Sequence, residues 1–133
     1  MKKFVLLIAI ILAFYSYSSK ADYYLPTNLK AVGNAVISTQ QGKTIAEKSL
    51  MAVRSARMDA QTKLLDQMKS IQIDTNITFG DVMVHKPTFK VVVMGIVRGA
   101  NTLRINKKGD DAYEVIMEID KDMFYWAISR YFK

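Results

Sequence analysis

The longest regular pattern in the chain predicts a helix from Thr44 to about Ile71. No glycine or proline interrupts this stretch, and strong helix formers dominate it. Thr44 and Glu47 have the spacing of a capping box at the helix start. Apolar residues recur at intervals of three and four and form one stripe: Ala46, Leu50, Val53, Ala56, Ala60, Leu64, Met68 and Ile71. Because alanines four apart have small side chains, we expect the first half of the helix to approach a sheet closely. We expect its charged face to be solvated, with opposite charges as neighbours.

Four segments have the alternation or the β-branched content of strands. Lys30–Ser38 is β-branched and contains a glycine, and Ile71–Phe79 alternates apolar and polar residues. Phe89–Arg98 is strongly apolar, which predicts a central, buried strand. Tyr113–Ile119 alternates after a polar, glycine-containing turn, so we expect a hairpin whose odd-numbered residues face the helix.

A short final helix, capped by Asp122, completes the predicted fold. The class is α+β, with a long helix packed on an antiparallel sheet of about four strands in the order β-α-β-β-β-α. We expect a single domain over residues 30–133, preceded by an extended lead at 22–29.

The first 21 residues are typical of a secretory signal peptide. A basic start is followed by the apolar run Phe4–Tyr15 and by small residues around Ala21. The run is shorter than the roughly 20 residues that a membrane-spanning helix needs. We therefore expect cleavage, with retention as an anchor as the alternative.

Composition limits the chemistry of the exported chain. The full chain carries a net charge of +7, and without the three lysines of the signal segment 16 cationic residues face 12 acids, a net charge of +4. Export argues against a nucleic-acid partner. The absence of cysteine excludes thiol catalysis, disulfides and thiolate metal sites.

Candidate catalytic residues are few. His85 is the only histidine, and the chain has neither a Gly-x-Ser-x-Gly motif nor a phosphate-binding glycine loop. Glu114, Glu118 and Asp120 share one face of a predicted strand that we expect to be solvated. We expect no enzyme activity, no cofactor and no metal site.

The C-terminal aromatic residues are the candidate interaction site. A short helix is too small to bury all of them, so some should be available to a partner or a membrane surface. Core packing is the alternative for the others. The candidates are Phe124, Trp126, Tyr131 and Phe132.

The order of several short motifs resembles a known family. The first motif is Ala31–Ile37, which contains Gly33. A helix with Ala52, Ala56-Arg57-Met58-Asp59-Ala60 and Leu64 follows, and then Val93–Val97 around Gly95 and Tyr113–Met117. Over Lys30 to Asp120 the chain is similar to the twenty-kilodalton bacterial lipoprotein family and to the related flagellar assembly proteins P and T, the latter through its N-terminal domain.

This resemblance implies an exported, non-enzymatic module with a long helix on an antiparallel sheet, located at the outer membrane or in the periplasm. Some members build rings or discs around the flagellar rod. The lipoproteins carry a cysteine at the cleavage site, which this chain lacks, so we expect it to be lipoprotein-like without a lipid anchor. Gly33, Ala56, Ala60, Leu64 and Gly95 match as fold-making residues.

Arg57 also matches the motif, and it is the one matching residue to which we assign a contact, with an acid on a strand or on a neighbouring subunit. The leading hypothesis is a structural or assembly protein of the bacterial envelope, an accessory of flagellar outer-membrane rings or discs and hence of motility, that self-associates or joins a larger ring.

Two alternatives remain open. One is a periplasmic binder of an anionic envelope ligand, lipopolysaccharide or peptidoglycan, attracted by a basic region that comprises Arg98, Arg104, Lys107 and Lys108. The other is a secreted surface effector or adhesin. We expect localisation in the periplasm or at the outer-membrane periphery, with secretion as the alternative.

Overall fold

A computed structural model describes residues 28–131. The predicted signal peptide, most of the predicted lead and Phe132 lie outside the described residues. The helices and strands, in chain order, are β1 (Leu29–Val36), α1 (Ile45–Lys69), β2 (Gln72–Asp74), β3 (Ile77–Thr78), α2 (Phe79–His85), α3 (Pro87–Arg98), β4 (Asn101–Lys108), β5 (Ala112–Ile119) and α4 (Lys121–Tyr131). The fold is α+β with a long helix on an antiparallel sheet, and this confirms the predicted class.

The main sheet has three strands in the order β1-β5-β4, all antiparallel, and α1 lies across β1 and β5. Val115, Met117 and Ile119 of β5 are buried, which confirms that the odd-numbered side of this strand faces the helix. The turn between β4 and β5 contains Gly109 with a φ of 63°, a backbone conformation that favours glycine.

Helix α1 approaches β1 closely at Gly33. A Cβ atom on Gly33 would lie 2.9 Å from the carbonyl carbon of Ala56, and nearer still to the oxygen of Ala56 and the nitrogen of Ala60. The predicted close approach is confirmed. The buried side of α1 has a strict spacing of four: Ala52, Ala56, Ala60, Leu64 and Met68. Ala46 and Leu50 of the predicted stripe lie off this line and are exposed.

The predicted central strand Phe89–Arg98 is wrong, because this segment is helix α3. Its buried residues are Phe89, Val93, Ile96 and Val97, which have helical spacing, and Val91 is 71% exposed. Pro87 lies in the first turn of the helix. Backbone N–H groups there have no acceptor within the helix, so the absence of an N–H in proline costs no hydrogen bond. The sheet therefore has three strands, and the order of elements is β-α-β-β-α-α-β-β-α.

Gly95 lies within α3 rather than in a strand. A Cβ atom added there meets no atom within 4 Å. The expectation that Gly95 makes the fold is therefore wrong, because no close backbone approach requires glycine at this position.

The predicted strand Ile71–Phe79 is only partly correct. β2 and β3 are short, and Phe79 already begins α2, whose N-terminus is a capping box formed by Thr78 and Asp81. The Phe79 ring packs edge-on against Phe89 at 5.2 Å and stacks on Phe124 at 5.5 Å, centroid to centroid. This cluster joins the three short helices in one core with α1.

Two predicted caps differ in detail. The Thr44 side chain accepts from the Glu47 N–H as expected, but the Glu47 carboxylate accepts from the Lys43 N–H rather than from that of Thr44. At the start of α4, the carboxylate of Asp120 accepts from the Asp122 N–H, so the cap that we assigned to Asp122 is made by Asp120.

Candidate functional site

Trp126 is the large aromatic side chain that α4 presents to solvent, with 59% of its surface exposed. The guanidinium carbon of Arg130, one turn later, lies 4.4 Å from the centroid of the indole ring. A cation over an aromatic face is attracted to the negative face of the ring. Arg130 therefore restricts the rotation of Trp126 and leaves part of the indole accessible.

The other predicted aromatic contacts serve the core. Phe124 is fully buried in the stack with Phe79, so its assignment to an interaction surface is wrong. The Tyr131 ring packs against Phe89 at 5.1 Å, and its hydroxyl lies 3.3 Å from that of Thr88. Tyr131 is thus half-buried and holds α4 against α3.

Arg57 occupies an unusual environment on α1. It is half-buried, and its Nε is shielded from solvent without a hydrogen-bond partner in the described part of the chain. Among the side chains that the structure describes within residues 28–131, no acid forms an ion pair with it, so the described contacts do not include the expected one to an acid on a strand. The contact with a neighbouring subunit stays a prediction.

Side chains of α1 close the outer edge of β1. Asp59 Oδ2 accepts from the Asn34 N–H at 3.0 Å, Lys63 Nζ donates to the Val32 carbonyl at 2.8 Å, and Gln67 Nε2 donates to the Lys30 carbonyl at 2.8 Å. These N–H and C=O groups belong to alternate residues of β1. In an antiparallel strand, the backbone groups of alternate residues point away from the paired strand, here β5. An edge on which three outward backbone groups already have side-chain partners is a poorer template for a further strand.

Asp59 and Lys63 are partly exposed and oppositely charged neighbours, as expected for the charged face of α1, but each also bonds to the backbone of β1, which was not expected. The two side chains also form an ion pair at 3.0 Å. The Asn34 N–H lowers the pKa of Asp59 below its usual value, and Lys63 contributes in the same direction. Asp59, Lys63 and Gln67 are spaced by four, like the buried residues of α1. This spacing is the sequence signal that could have indicated that they lie along one line beside β1.

The opposite edge, formed by β4, is open. Within residues 28–131, β5 is the only strand that pairs with β4, and no other segment bonds to the β4 backbone. A bulge between Thr102 and Arg104 interrupts the register, so the regular part is Arg104–Lys108. Leu103 and Ile105 expose 48% and 46% of their surfaces.

The carboxylates of Glu114 and Glu118 accept hydrogen bonds from nearby side chains. Glu118 accepts from the Asn28 side chain at 2.7 Å, and Glu114 accepts from the Asn106 side chain at 3.2 Å and lies 3.7 Å from Lys108 Nζ. Both carboxylates are half-buried, so the expectation of a mostly solvated face is only partly met.

His85 lines an open cleft of about 510 Å³ with Asn76, Ile77, Asp81, Val82 and Lys86. The backbone N–H of Thr78 and its hydroxyl lower the pKa of Asp81. The cap of α2 therefore engages this carboxylate, and His85 adds a weaker electrostatic contribution that lowers the pKa of Asp81 in the same direction.

Two further searches cover the described residues alone. No three side chains of the ligating types lie close enough there to hold a metal ion. No helix between residues 28 and 131 has both the length and the apolar character needed to cross a membrane.

These features define a small α+β protein with one closed sheet edge, one open sheet edge and an exposed tryptophan. A scan against protein-family models found no match to the chain, and neither did a search of curated proteins.

Proposed function

We propose that the protein is a non-enzymatic structural or assembly component of the bacterial envelope that acts by protein–protein contact. In this proposal it is exported to the periplasm or the outer-membrane periphery and serves as an accessory of flagellar outer-membrane rings or discs. The exposed Trp126 carries the proposed contact, and the resemblance to the twenty-kilodalton lipoproteins and flagellar assembly proteins P and T supports the envelope location.

Tryptophan is enriched at the energetic centres of protein interfaces, because it buries a large area for few rotatable bonds. Trp126 has much of that area free, and Arg130 already restricts its rotamer. Ordering such a side chain on binding costs less entropy than ordering a freely rotating one. These properties suit a contact that forms between folded proteins.

The test replaces Trp126 with alanine. Because the indole is mostly exposed, we expect the variant to melt within about 2 °C of the wild type, as for surface changes worth a few tenths of a kcal/mol. We also expect it to lose assembly, measured as the mass in light scattering over a concentration series and as capture of envelope proteins on the immobilised chain.

Val84→Ala is the matched control, because it truncates an exposed apolar side chain on α2. We expect it to keep both assembly and melting temperature. Equal loss of assembly and stability in Trp126→Ala would show that the tryptophan is structural. Unchanged assembly and capture in Trp126→Ala would contradict the proposed contact.

A second candidate function is binding of an anionic envelope ligand. Residues 82–109 contain no acid, and their six cationic residues are Lys86, Lys90, Arg98, Arg104, Lys107 and Lys108. We expect such a binder to adsorb to lipopolysaccharide or peptidoglycan with an affinity that falls steeply with salt. No adsorption at low salt would remove this candidate.

A further inference from the structure

The open edge of β4 provides a second surface with its own chemistry. We call residues Arg104–Lys108 the cationic edge, because three of these five residues are Arg104, Lys107 and Lys108 and none is acidic. All of β4 is exposed apart from Asn106, which is half-buried. An exposed strand with unpaired N–H and C=O groups is a template for another extended segment.

A second copy of this chain is a poor occupant of the cationic edge. Its β1 edge is already closed by Asp59, Lys63 and Gln67. Pairing β4 with the β4 of another copy would bring two sets of cationic residues together, and like charges on neighbouring strands repel. The charge of the edge favours a partner with the opposite sign.

We propose that the cationic edge accepts an extended acidic segment of a partner protein, which adds to the sheet as a fourth strand beside β4. This proposal rests on the proposed function only in that the protein works by protein–protein contact. It concerns a different surface from Trp126 and names the chemistry of the partner.

The register of β4 with β5 indicates which side chains the added strand needs. Arg104 and Lys108 pair with Ile116 and Ala112, on the face of the sheet away from α1. Ile105 pairs with the buried Val115, so it lies on the same face as the helix. A segment that alternates acidic and apolar residues would therefore set its acids beside Arg104 and Lys108 and its apolar residues beside Ile105.

The probe is a fluorescent peptide of alternating glutamate and valine, about eight residues long to match an ordinary strand. Its binding to the purified exported protein is followed by anisotropy at low and high salt. We expect saturable binding that weakens with salt. A peptide of the same sequence with alternate backbone nitrogens methylated keeps its charge but loses one hydrogen-bonding side, and we expect it to bind at least about tenfold more weakly.

Charge reversal on the protein supplies the second test. We expect the double variant Arg104→Glu, Lys108→Glu to bind the acidic peptide at least about tenfold more weakly, since both positions then repel its glutamates. Because Lys108→Glu also breaks the ion pair with Glu114, the melting temperature of the variant is measured as well, and binding is compared at a temperature where the variant is folded. The same variant should gain affinity for a lysine–valine peptide. The double variant Lys86→Glu, Lys90→Glu is the matched control, because it makes the same change in net charge at two exposed positions outside β4. We expect this control to change binding to a much smaller extent.

Three results would overturn the proposal. Equal binding of the methylated peptide would indicate adsorption by charge alone, as for a polyanionic envelope ligand. A stable dimer that excludes the peptide would place a second copy on β4. Absence of peptide binding at low salt would show that β4 does not accept an added strand.

The two proposals fail in different experiments. If Trp126→Ala loses assembly and no peptide binds to β4, the proposed function is supported and the proposed strand addition at the cationic edge is refuted. If peptide binding depends on Arg104 and Lys108 and Trp126→Ala assembles fully, the strand addition is supported and the proposed contact of Trp126 is refuted.

Discussion

Replacing Gly33 with alanine tests the close approach of α1 to β1 directly. The added methyl group would lie 2.9 Å from the carbonyl carbon of Ala56 and closer to two other backbone atoms of α1. Carbon atoms in favourable contact are about 3.5–4.0 Å apart. Because the obstructing atoms belong to a helix backbone rather than to a flexible side chain, α1 must move away from the strand by at least about 1 Å.

The expected loss in the free energy of unfolding follows from the contacts that this movement weakens. A radial gap of about 1 Å forfeits up to half of the attraction between atoms in contact. The affected residues include the fully buried Ala52, Ala56 and Ala60, and the hydrogen bonds from Lys63 and Gln67 to β1 would stretch as well. We expect Gly33→Ala to lower the free energy of unfolding by about 3 kcal/mol, at the upper end of the usual range for overpacking.

Urea denaturation followed by circular dichroism measures this change, and Gly95→Ala is the matched control. The added Cβ at Gly95 meets open space within a helix, where alanine is favoured over glycine by about 0.5–1 kcal/mol. We therefore expect the same substitution to destabilise at position 33 and to stabilise at position 95. Equal unfolding midpoints for Gly33→Ala and the wild type would refute the close approach.

Two further predictions concern pH and the C-terminal helix. The folded-state pKa of Asp59 lies below its usual value of about 3.9, so the stability that it contributes is present above about pH 4 and is lost as the pH falls through the folded-state pKa. Asp59→Asn should therefore flatten the decline of melting temperature below pH 4, whereas Asp66→Asn on the exposed side of α1 should leave it unchanged; identical acid profiles for both variants would contradict the role of Asp59. Tyr131→Ala should cost about 2 kcal/mol by removing the ring from Phe89, while Tyr131→Phe should retain most of the stability, as measured by urea denaturation; wild-type stability of Tyr131→Ala would show that the ring is not part of the core.

Local patterns were sufficient to predict the helix and the strand that keep one hydrophobic periodicity over their whole length. Helix α1 follows from the uninterrupted helix formers between Thr44 and Ile71, and β5 follows from its strict alternation. A close approach of α1 to the sheet also follows, because the alanines of the helix are small; that the approach falls at Gly33 of β1 is a result of the tertiary structure.

Segment 87–98 shows where local propensity misleads. Its run of β-branched residues favours a strand, but the burial of Phe89 against Phe79 and Tyr131 selects the helix. The helical spacing of Phe89, Val93 and Val97 and the proline at position 87 were present in the sequence. The β-branched composition outweighed them in the prediction, since tertiary packing rather than intrinsic propensity decides such a segment.

The candidate surfaces divide in the same way. Sequence indicated that some C-terminal aromatic residues would be exposed, but it gave no basis for separating Trp126 from the buried Phe124. The basic residues of the cationic edge were visible as a group. Their position on an unpaired strand was not visible, because the prediction placed a different segment in the sheet.

The sequence by itself determined the α+β class, the long helix and the inward side of β5, because each depends on the periodicity of neighbouring residues. Only the tertiary structure decided that β1 has a closed edge and β4 an open one. Strand order and the reach of Asp59, Lys63 and Gln67 to a distant backbone depend on contacts between residues far apart in the chain. No local period encodes which strand is left without a neighbour.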